Sequence, residues 1–132
     1  MTRKLFFIAL FFFSIDSVIS QESNEPFYVN VFISADKTIY VETKQTRFQE
    51  VNLKVAEIIR NAPFKLDQRI VYRIFADKDL QLGYIIDVEQ EMLSGYRDDV
   101  QMRRYLLNTA ELNIDGQNWF DAIDLKKLKA AN

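Results

Sequence analysis

The sequence predicts an α+β domain, a β-β-α-β-α-β sheet with two helices on one face and a short C-terminal helix. Stretches with a two-residue apolar period, typical of strands, alternate with stretches whose apolar residues recur every three or four positions, typical of helices. The chain has 132 residues, 48% of them apolar, which suits one hydrophobic core and not two. Strand–helix–strand connections are right-handed, and this places both helices on the same side of the sheet.

The domain is predicted to begin with a β-hairpin. Its first strand is Phe27–Ser34, its turn is Ala35–Lys37, and its second strand is Thr38–Thr43. The apolar face of the first strand consists of Phe27, Val29, Val31 and Ile33.

The first helix is predicted to follow the hairpin. Thr46 and Gln49 have the spacing of a capping box, in which each side chain satisfies a backbone N–H at the start of a helix. The helix runs to about Asn61 and ends before Pro63, which cannot continue a helical hydrogen-bond ladder. Its apolar stripe consists of Val51, Val55, Ile58, Ile59 and Ala62.

The stretch Ile70–Ala76 is predicted to be a strand inside the sheet, because both of its faces are largely apolar. Asp79 is predicted to cap the helix that follows. This helix buries a stripe that ends at Met92, and Gly95 is predicted to be a left-handed C-cap. The stripe consists of Ile85, Val88 and Met92, and the solvated row consists of Asp87, Glu89, Gln90 and Glu91.

The last strand is predicted to be Val100–Thr109 at an edge of the sheet, where Arg103 and Arg104 discourage stray pairing. A turn over Asn113–Gly116 and a helix over Gln117–Ala130 complete the chain. The helix is predicted to pack inward through Trp119, Phe120 and Ile123.

The first twenty residues have the layout of an export signal. Arg3 and Lys4 precede the apolar run Leu5–Phe13, and a cleavage site follows Ser20. The alternative is an uncleaved anchor over Leu5–Ile19. The predicted divisions are therefore a signal or anchor (1–20), a flexible lead (21–26), the domain (27–111) and a C-terminal extension (112–132).

The turn after the central strand and the helix behind it resemble the periplasmic domain of the ExbD/TolR family of biopolymer-transport proteins. The matching residues are Ala76, Asp77, Lys78, Asp79, Gly83, Ile85, Ile86, Asp87, Val88 and Gly95. The resemblance covers about Tyr28–Glu111, and the chain has Leu82 where the family has an aromatic residue. The family's transmembrane aspartate motif is not matched, since Asp16 follows the apolar run instead of preceding it.

The resemblance implies a homodimer in the cell envelope that works with ExbB/TolQ-type and TonB/TolA-type proteins to carry inner-membrane energy to the outer membrane. Some relatives contact peptidoglycan. On this basis we expect a non-catalytic, partner-binding domain that is exported to the periplasm, or held in the inner membrane if the N-terminal segment is retained. The alternative is a soluble periplasmic adaptor with the same fold and no motor role.

The composition argues against catalysis and against nucleic-acid binding. The chain has no histidine and no cysteine, which excludes Ser-His-Asp and Cys-His sites and the commonest metal ligands. Its net charge of −2 gives no basic stripe for nucleic acid. The carboxylate pairs Asp98/Asp99 and Asp121/Asp124 do not have the spacing of a known cation loop. We therefore expect no enzyme activity and no cofactor or metal.

The partner-binding candidates lie on the sheet face, the central turn and the last strand. On the sheet face opposite the helices, an apolar patch would favour a partner such as a second copy. The strands Phe27–Ile33 and Val100–Leu107 are the candidates for pairing with an extended partner segment. The turn is alternatively a purely structural element, and the paired arginines are alternatively edge protection. The candidate residues are Tyr28, Phe32, Tyr40, Asp77, Lys78, Asp79, Arg103 and Arg104, with Phe75 beside them on the sheet face.

Overall fold

The computed structural model describes residues 25–63 and 67–129, and it confirms the α+β class with both α-helices on one face of the sheet. The strands, in chain order, are β1 (Phe27–Ile33), β2 (Ile39–Val41), β3 (Lys44–Thr46), β4 (Ile70–Asp77) and β5 (Val100–Leu107). The two helices are α1 (Val51–Asn61) and α2 (Leu82–Gly95). The predicted export signal and Asp16 lie outside the described residues.

The sheet is mixed, with the strand order β3-β2-β1-β4-β5. β1 pairs antiparallel with β2 and parallel with β4, and β4 pairs parallel with β5. The prediction that Ile70–Ala76 lies inside the sheet and that the last strand lies at an edge is confirmed. β1 is also an interior strand.

The main core lies between the sheet and the two helices. One face of β1 and β4 packs there, because alternate residues of a strand point to the same side. Tyr72 reaches across this core, and its hydroxyl donates to the backbone oxygen of Tyr96 at 2.7 Å, just beyond the end of α2. The core comprises, among others, Val29, Val31, Ile33, Val51, Val55, Ile59, Tyr72, Ile74, Ile85, Val88 and Met92.

The second predicted strand, Thr38–Thr43, is two strands in the structure. Glu42 has a positive φ of 53°, so the chain reverses there, and Lys44–Thr46 pairs back onto β2. The capping box is also wrong, because Thr46 belongs to β3 and its hydroxyl donates to Lys44 O. The helix begins at Val51, after a 3₁₀ turn at Phe48–Glu50.

The predicted cap and end of α2 are both different in the structure. The residue before α2 is Gln81, no side chain caps the helix, and Asp79 lies earlier in the turn. Gly95 is the last residue of α2, and its φ is not positive. Glycine is required there because α1 passes close by, and a Cβ on Gly95 would lie 2.4 Å from the backbone oxygen of Asn52.

The C-terminal extension has no α-helix within the described residues. A 3₁₀ turn at Thr109–Glu111 precedes the extension. Further 3₁₀ turns at Gly116–Ala122 and Leu125–Lys127 lie within it, in place of the helix predicted over Gln117–Ala130. β5 accordingly ends at Leu107, before Thr109. The prediction that Trp119 packs inward is confirmed, since its side chain is 1% exposed.

The extension covers part of the second face of the sheet, and this overturns the expectation that the aromatic face is open. The Trp119 ring stacks on Phe32, with centroids 5.3 Å apart, and lies 5.4 Å from the ring of Phe75. The indole N–H of Trp119 donates to the Glu42 backbone oxygen at 2.7 Å. Phe32 and Phe75 are therefore buried within the chain itself, in a second and smaller core. The expectation of a single core is wrong, because the extension closes a second apolar layer on the other face of the same sheet.

Candidate partner-binding surfaces

The two edge strands of the sheet, β3 and β5, differ in length and therefore in the number of unpaired backbone groups. β3 has three residues, whereas β5 has eight and, among the residues that the structure describes, pairs only with β4. An unpaired edge presents N–H and C=O groups that can accept a further strand. β5 is therefore the longer free edge, and β1, which was also a candidate, is excluded because it already has strands on both sides.

The outward-facing groups of β5 can be assigned from its link to β4. Leu107 O accepts a hydrogen bond from Lys78 N at 2.7 Å, so the backbone of Leu107 faces β4. Because successive residues of a strand alternate in direction, the backbone N–H groups of Met102, Arg104 and Leu106 face away from β4. These N–H groups are available to an added strand.

An apolar patch flanks the free edge. Leu106 on β5 is 43% exposed, and Leu82 and Ile86 on α2 are 55% and 38% exposed. Leu106 shares its face of β5 with Arg104, which reaches α2 at Glu89, and Ile86 lies about one helical turn before Glu89. We call these three residues, Leu82, Ile86 and Leu106, the edge patch.

Arg104 is committed to an ion pair and is not free for a partner. Its Nε and Nη2 donate to the two carboxylate oxygens of Glu89 at 2.8 and 2.7 Å, which is a bidentate geometry. Bonding to Glu89 raises the pKa of Arg104. Glu89 was predicted to lie in a solvated row, but it is buried because this pair joins α2 to β5.

The end of β4 and the turn that follows it have one buried residue, Asp77, and two exposed ones, Lys78 and Asp79. Asp77 is 3% exposed, and its carboxylate accepts from Asp79 N at 2.9 Å and from Thr109 N at 3.3 Å, as well as from the Thr109 hydroxyl. Burial alone would raise the pKa of Asp77, but the bonds from Thr109 and Asp79 outweigh it and hold the pKa below its ordinary value. Lys78 and Asp79 remain exposed at this end of the sheet.

The sheet-face candidates separate into buried and accessible positions. Phe32 is covered by Trp119, whereas Tyr40 is half-buried, with its ring 6.3 Å from Phe32. Tyr28 is half-buried, and the guanidinium of Arg73 lies 3.8 Å from its ring centroid. This face therefore offers Tyr28 and its neighbours, and not a continuous aromatic surface.

Sequence reasoning missed the polar cluster around Arg73. Arg73 Nε donates to Asn30 Oδ1 at 2.7 Å, and the Asn30 backbone N–H donates to a carboxylate oxygen of Glu42 at 2.8 Å. Burial raises the pKa of Glu42. The available signal was Arg73 itself, a charged residue within an otherwise apolar interior strand.

Within the described part of the chain, no group of three or more acidic residues is arranged to hold a metal ion. A groove of about 600 Å³ lies near the start of α1, with Lys37, Arg47, Phe48 and Tyr84 in its wall, and Glu50 is its only carboxylate. No acid–base pair of carboxylates converges in this groove. No helix in residues 25–63 and 67–129 is long and apolar enough to cross a membrane.

Comparisons with known proteins leave the family open. No family model matches the chain, and neither a curated protein nor a solved structure does. The resemblance to the ExbD/TolR family therefore stays a prediction that rests on the residues of the turn and of α2.

Proposed function

We propose that this chain is a non-catalytic periplasmic domain of the ExbD/TolR kind, which binds an extended segment of another envelope protein along β5. The observation that carries the proposal is the free eight-residue edge of β5, bordered by the edge patch. Main-chain bonds from Met102, Arg104 and Leu106 would give affinity, and apolar side chains of the partner would cover the edge patch.

The turn residues support the family part of the proposal. The Ala-Asp-Lys-Asp sequence that resembles the family lies at the carboxyl end of β4, and Asp77 there binds the chain just after β5 through Thr109. This leaves Lys78 and Asp79 exposed near the end of the proposed edge. A partner strand that passes the end of β5 would meet both charges.

The biological setting follows from the same resemblance. The partners would be ExbB/TolQ-type and TonB/TolA-type proteins, with peptidoglycan as a further contact, and the domain would transmit energy from the inner to the outer membrane. The second candidate is a soluble periplasmic adaptor with the same binding edge. It is favoured by the absence of the family's transmembrane aspartate pattern, since Asp16 follows the apolar run Leu5–Phe13.

Photo-crosslinking in native cells tests the proposal. A photoreactive amino acid replaces Leu106 at the edge, and in a matched control it replaces Leu53, which is 68% exposed on α1. We expect position 106, and not position 53, to crosslink to an ExbB/TolQ-type or TonB/TolA-type protein. A crosslink to an unrelated envelope protein would favour the adaptor, and equal labelling at both positions would contradict a binding edge on β5.

A further inference from the structure

Two arginines lie side by side on the sheet face that the helices do not cover. Arg73 on β4 and Arg103 on β5 are register partners in the parallel ladder, so their side chains leave the same face on neighbouring strands. Both are half-buried. Like charges at neighbouring positions of adjacent strands repel each other, so this arrangement costs stability unless an anion lies between them.

No carboxylate of the described residues forms an ion pair with either arginine. The ion pairs in that part of the chain are Lys54–Glu57, Arg104–Glu89 and Lys127–Asp124, and none includes Arg73 or Arg103. Glu42 lies on the same face, but its carboxylate accepts from the Asn30 backbone N–H and forms no ion pair with Arg73. Glu42 therefore offsets part of the charge of Arg73 from a distance, and neither arginine has a carboxylate in direct contact.

The guanidinium of Arg73 is held in a fixed position. It lies 3.8 Å from the centroid of the Tyr28 ring and 5.7 Å from that of Phe120, and its Nε donates to Asn30 Oδ1 at 2.7 Å. Its terminal nitrogens, Nη1 and Nη2, donate to no residue in the described part of the chain. A planar, oriented fork of free N–H donors is the arrangement that binds a carboxylate with little loss of side-chain freedom.

We propose that Arg73 and Arg103, with Tyr28 as the platform, form a binding site for the carboxylate of an acidic peptide side chain. A singly charged carboxylate fits better than a doubly charged phosphate, because Glu42 already offsets part of the positive charge of the two arginines. The site uses side chains of the sheet face and not the outward backbone of β5. It therefore goes beyond the proposed strand addition, and the tests of the two proposals can fail independently of each other.

Nuclear magnetic resonance of the arginine Nε–Hε groups tests the site. The probes are an end-blocked tripeptide with a central aspartate, the same tripeptide with asparagine, and sodium acetate, all at constant ionic strength. We expect the aspartate peptide to shift the Arg73 Nε–Hε signal saturably and the asparagine peptide to leave it unchanged. We expect Arg103→Gln to weaken binding about tenfold, which is about 1.4 kcal/mol, and Arg60→Gln, on the exposed side of α1, to have no effect.

Each further outcome decides one aspect of the proposal. Acetate that binds as tightly as the aspartate peptide would support a carboxylate site and assign it to small carboxylates, which overturns the peptide part. Arg73→Lys keeps the charge and removes the fork, so unchanged binding by this variant would overturn the bidentate geometry. Equal shifts with both tripeptides, or unchanged affinity in Arg103→Gln, would overturn the site as a whole. A wild-type-like spectrum of backbone amides confirms that each variant is folded.

Discussion

At the residue scale, Asp77 joins the ends of β4 and β5 through a buried carboxylate. Its oxygens accept from the amides of Asp79 and Thr109 and from the Thr109 hydroxyl, so the ionised form is favoured in the folded state. Its pKa is lower in the folded chain than in the unfolded chain. The stabilisation is therefore present above the unfolded value, about 3.9, and is lost as the pH falls through the folded value.

We predict that Asp77→Asn lowers the free energy of unfolding by about 2 kcal/mol at pH 7, because it removes charge-assisted bonds to a buried group. We also predict that wild-type stability falls more steeply than that of the variant between about pH 5 and pH 2. Urea unfolding at several pH values measures both. Asp79→Asn is the control, since Asp79 is exposed. An equal decrease in the free energy of unfolding in both variants would contradict a structural role for Asp77.

A second prediction concerns the two glycines of α2. Gly95→Ala should destabilise the fold by about 1–3 kcal/mol, because its Cβ would press on the backbone of Asn52 in α1. Gly83→Ala has open space around the added Cβ and should stabilise by about 0.5–1 kcal/mol through lower chain entropy. Thermal unfolding of the two variants measures the contrast. Equal shifts of the melting temperature in the two variants would contradict the claim that the approach of α1 requires glycine at position 95.

Residue roles were predicted less well than residue positions. The apolar stripe of α2 follows from its spacing, so the burial of Ile85, Val88 and Met92 is confirmed. The roles of Asp79 and Glu89 were wrong, because a capping or pairing role depends on what lies opposite in space. The partner of Glu89 is on β5, and no local pattern indicates it.

At the scale of elements, the C-terminal extension acts as a cover for the sheet. It has no regular helix, and its 3₁₀ turns place Trp119 against Phe32 and Phe75. The burial of Phe32 and Phe75 depends on one tryptophan far along the chain, and the spacing of apolar residues in the strands does not indicate such a contact. The short strand β3 was missed for a similar reason, since Lys44–Thr46 has two exposed residues and pairs only because Glu42 reverses the chain.

The extension should fold together with the sheet. We predict that Trp119→Ala lowers the free energy of unfolding by about 3–5 kcal/mol, since it removes a buried aromatic ring. Trp119→Phe, which keeps a ring for stacking, should cost clearly less. Trp119 is the only tryptophan, so its fluorescence reports this segment alone. Fluorescence and circular dichroism should give one common transition for the wild type, and an earlier fluorescence transition would contradict joint folding.

The pair Arg104–Glu89 fixes α2 to the edge strand. We predict that Arg104→Met destabilises by about 3 kcal/mol, because it leaves the Glu89 carboxylate buried and unpaired. Glu57→Gln is the comparison, since the Lys54–Glu57 pair is solvent-exposed and should cost less than about 1 kcal/mol. Chemical denaturation of both variants provides the measurement. A cost for Arg104→Met as small as that for Glu57→Gln would show that the pair is not structural.

At the scale of the whole molecule, the order of the four longer predicted strands and the two α-helices follows from sequence, because burial on one face imposes a two-residue or a three-to-four-residue period. The short strand β3 and the irregular C-terminal extension do not follow from it. The binding surface was predicted only in part. β5 was placed correctly at an edge, but β1 is interior, and the aromatic face proposed for a dimer is covered by the chain's own extension. Homodimer formation stays a prediction, and it no longer has an open aromatic face as its basis.

The state of the N-terminal segment separates the two functional candidates. The intact mass of the protein recovered from its native envelope reports it directly. A mature chain that begins at Gln21 would favour the soluble adaptor. A full-length chain in the inner membrane would favour the motor subunit and return Asp16 to consideration.

Strand addition at β5 is the central claim, and proline at Leu106 tests it most directly. Proline removes an N–H group that faces away from β4, so the fold should tolerate it while an added strand loses a bond. The measurement is the affinity of the partner segment identified by crosslinking for wild type, Leu106→Pro and the control Leu106→Val. We predict that the proline variant alone binds the partner segment at least tenfold more weakly than wild type, a loss of about 1.4 kcal/mol of binding free energy. Unchanged affinity in a folded Leu106→Pro variant would contradict the claim.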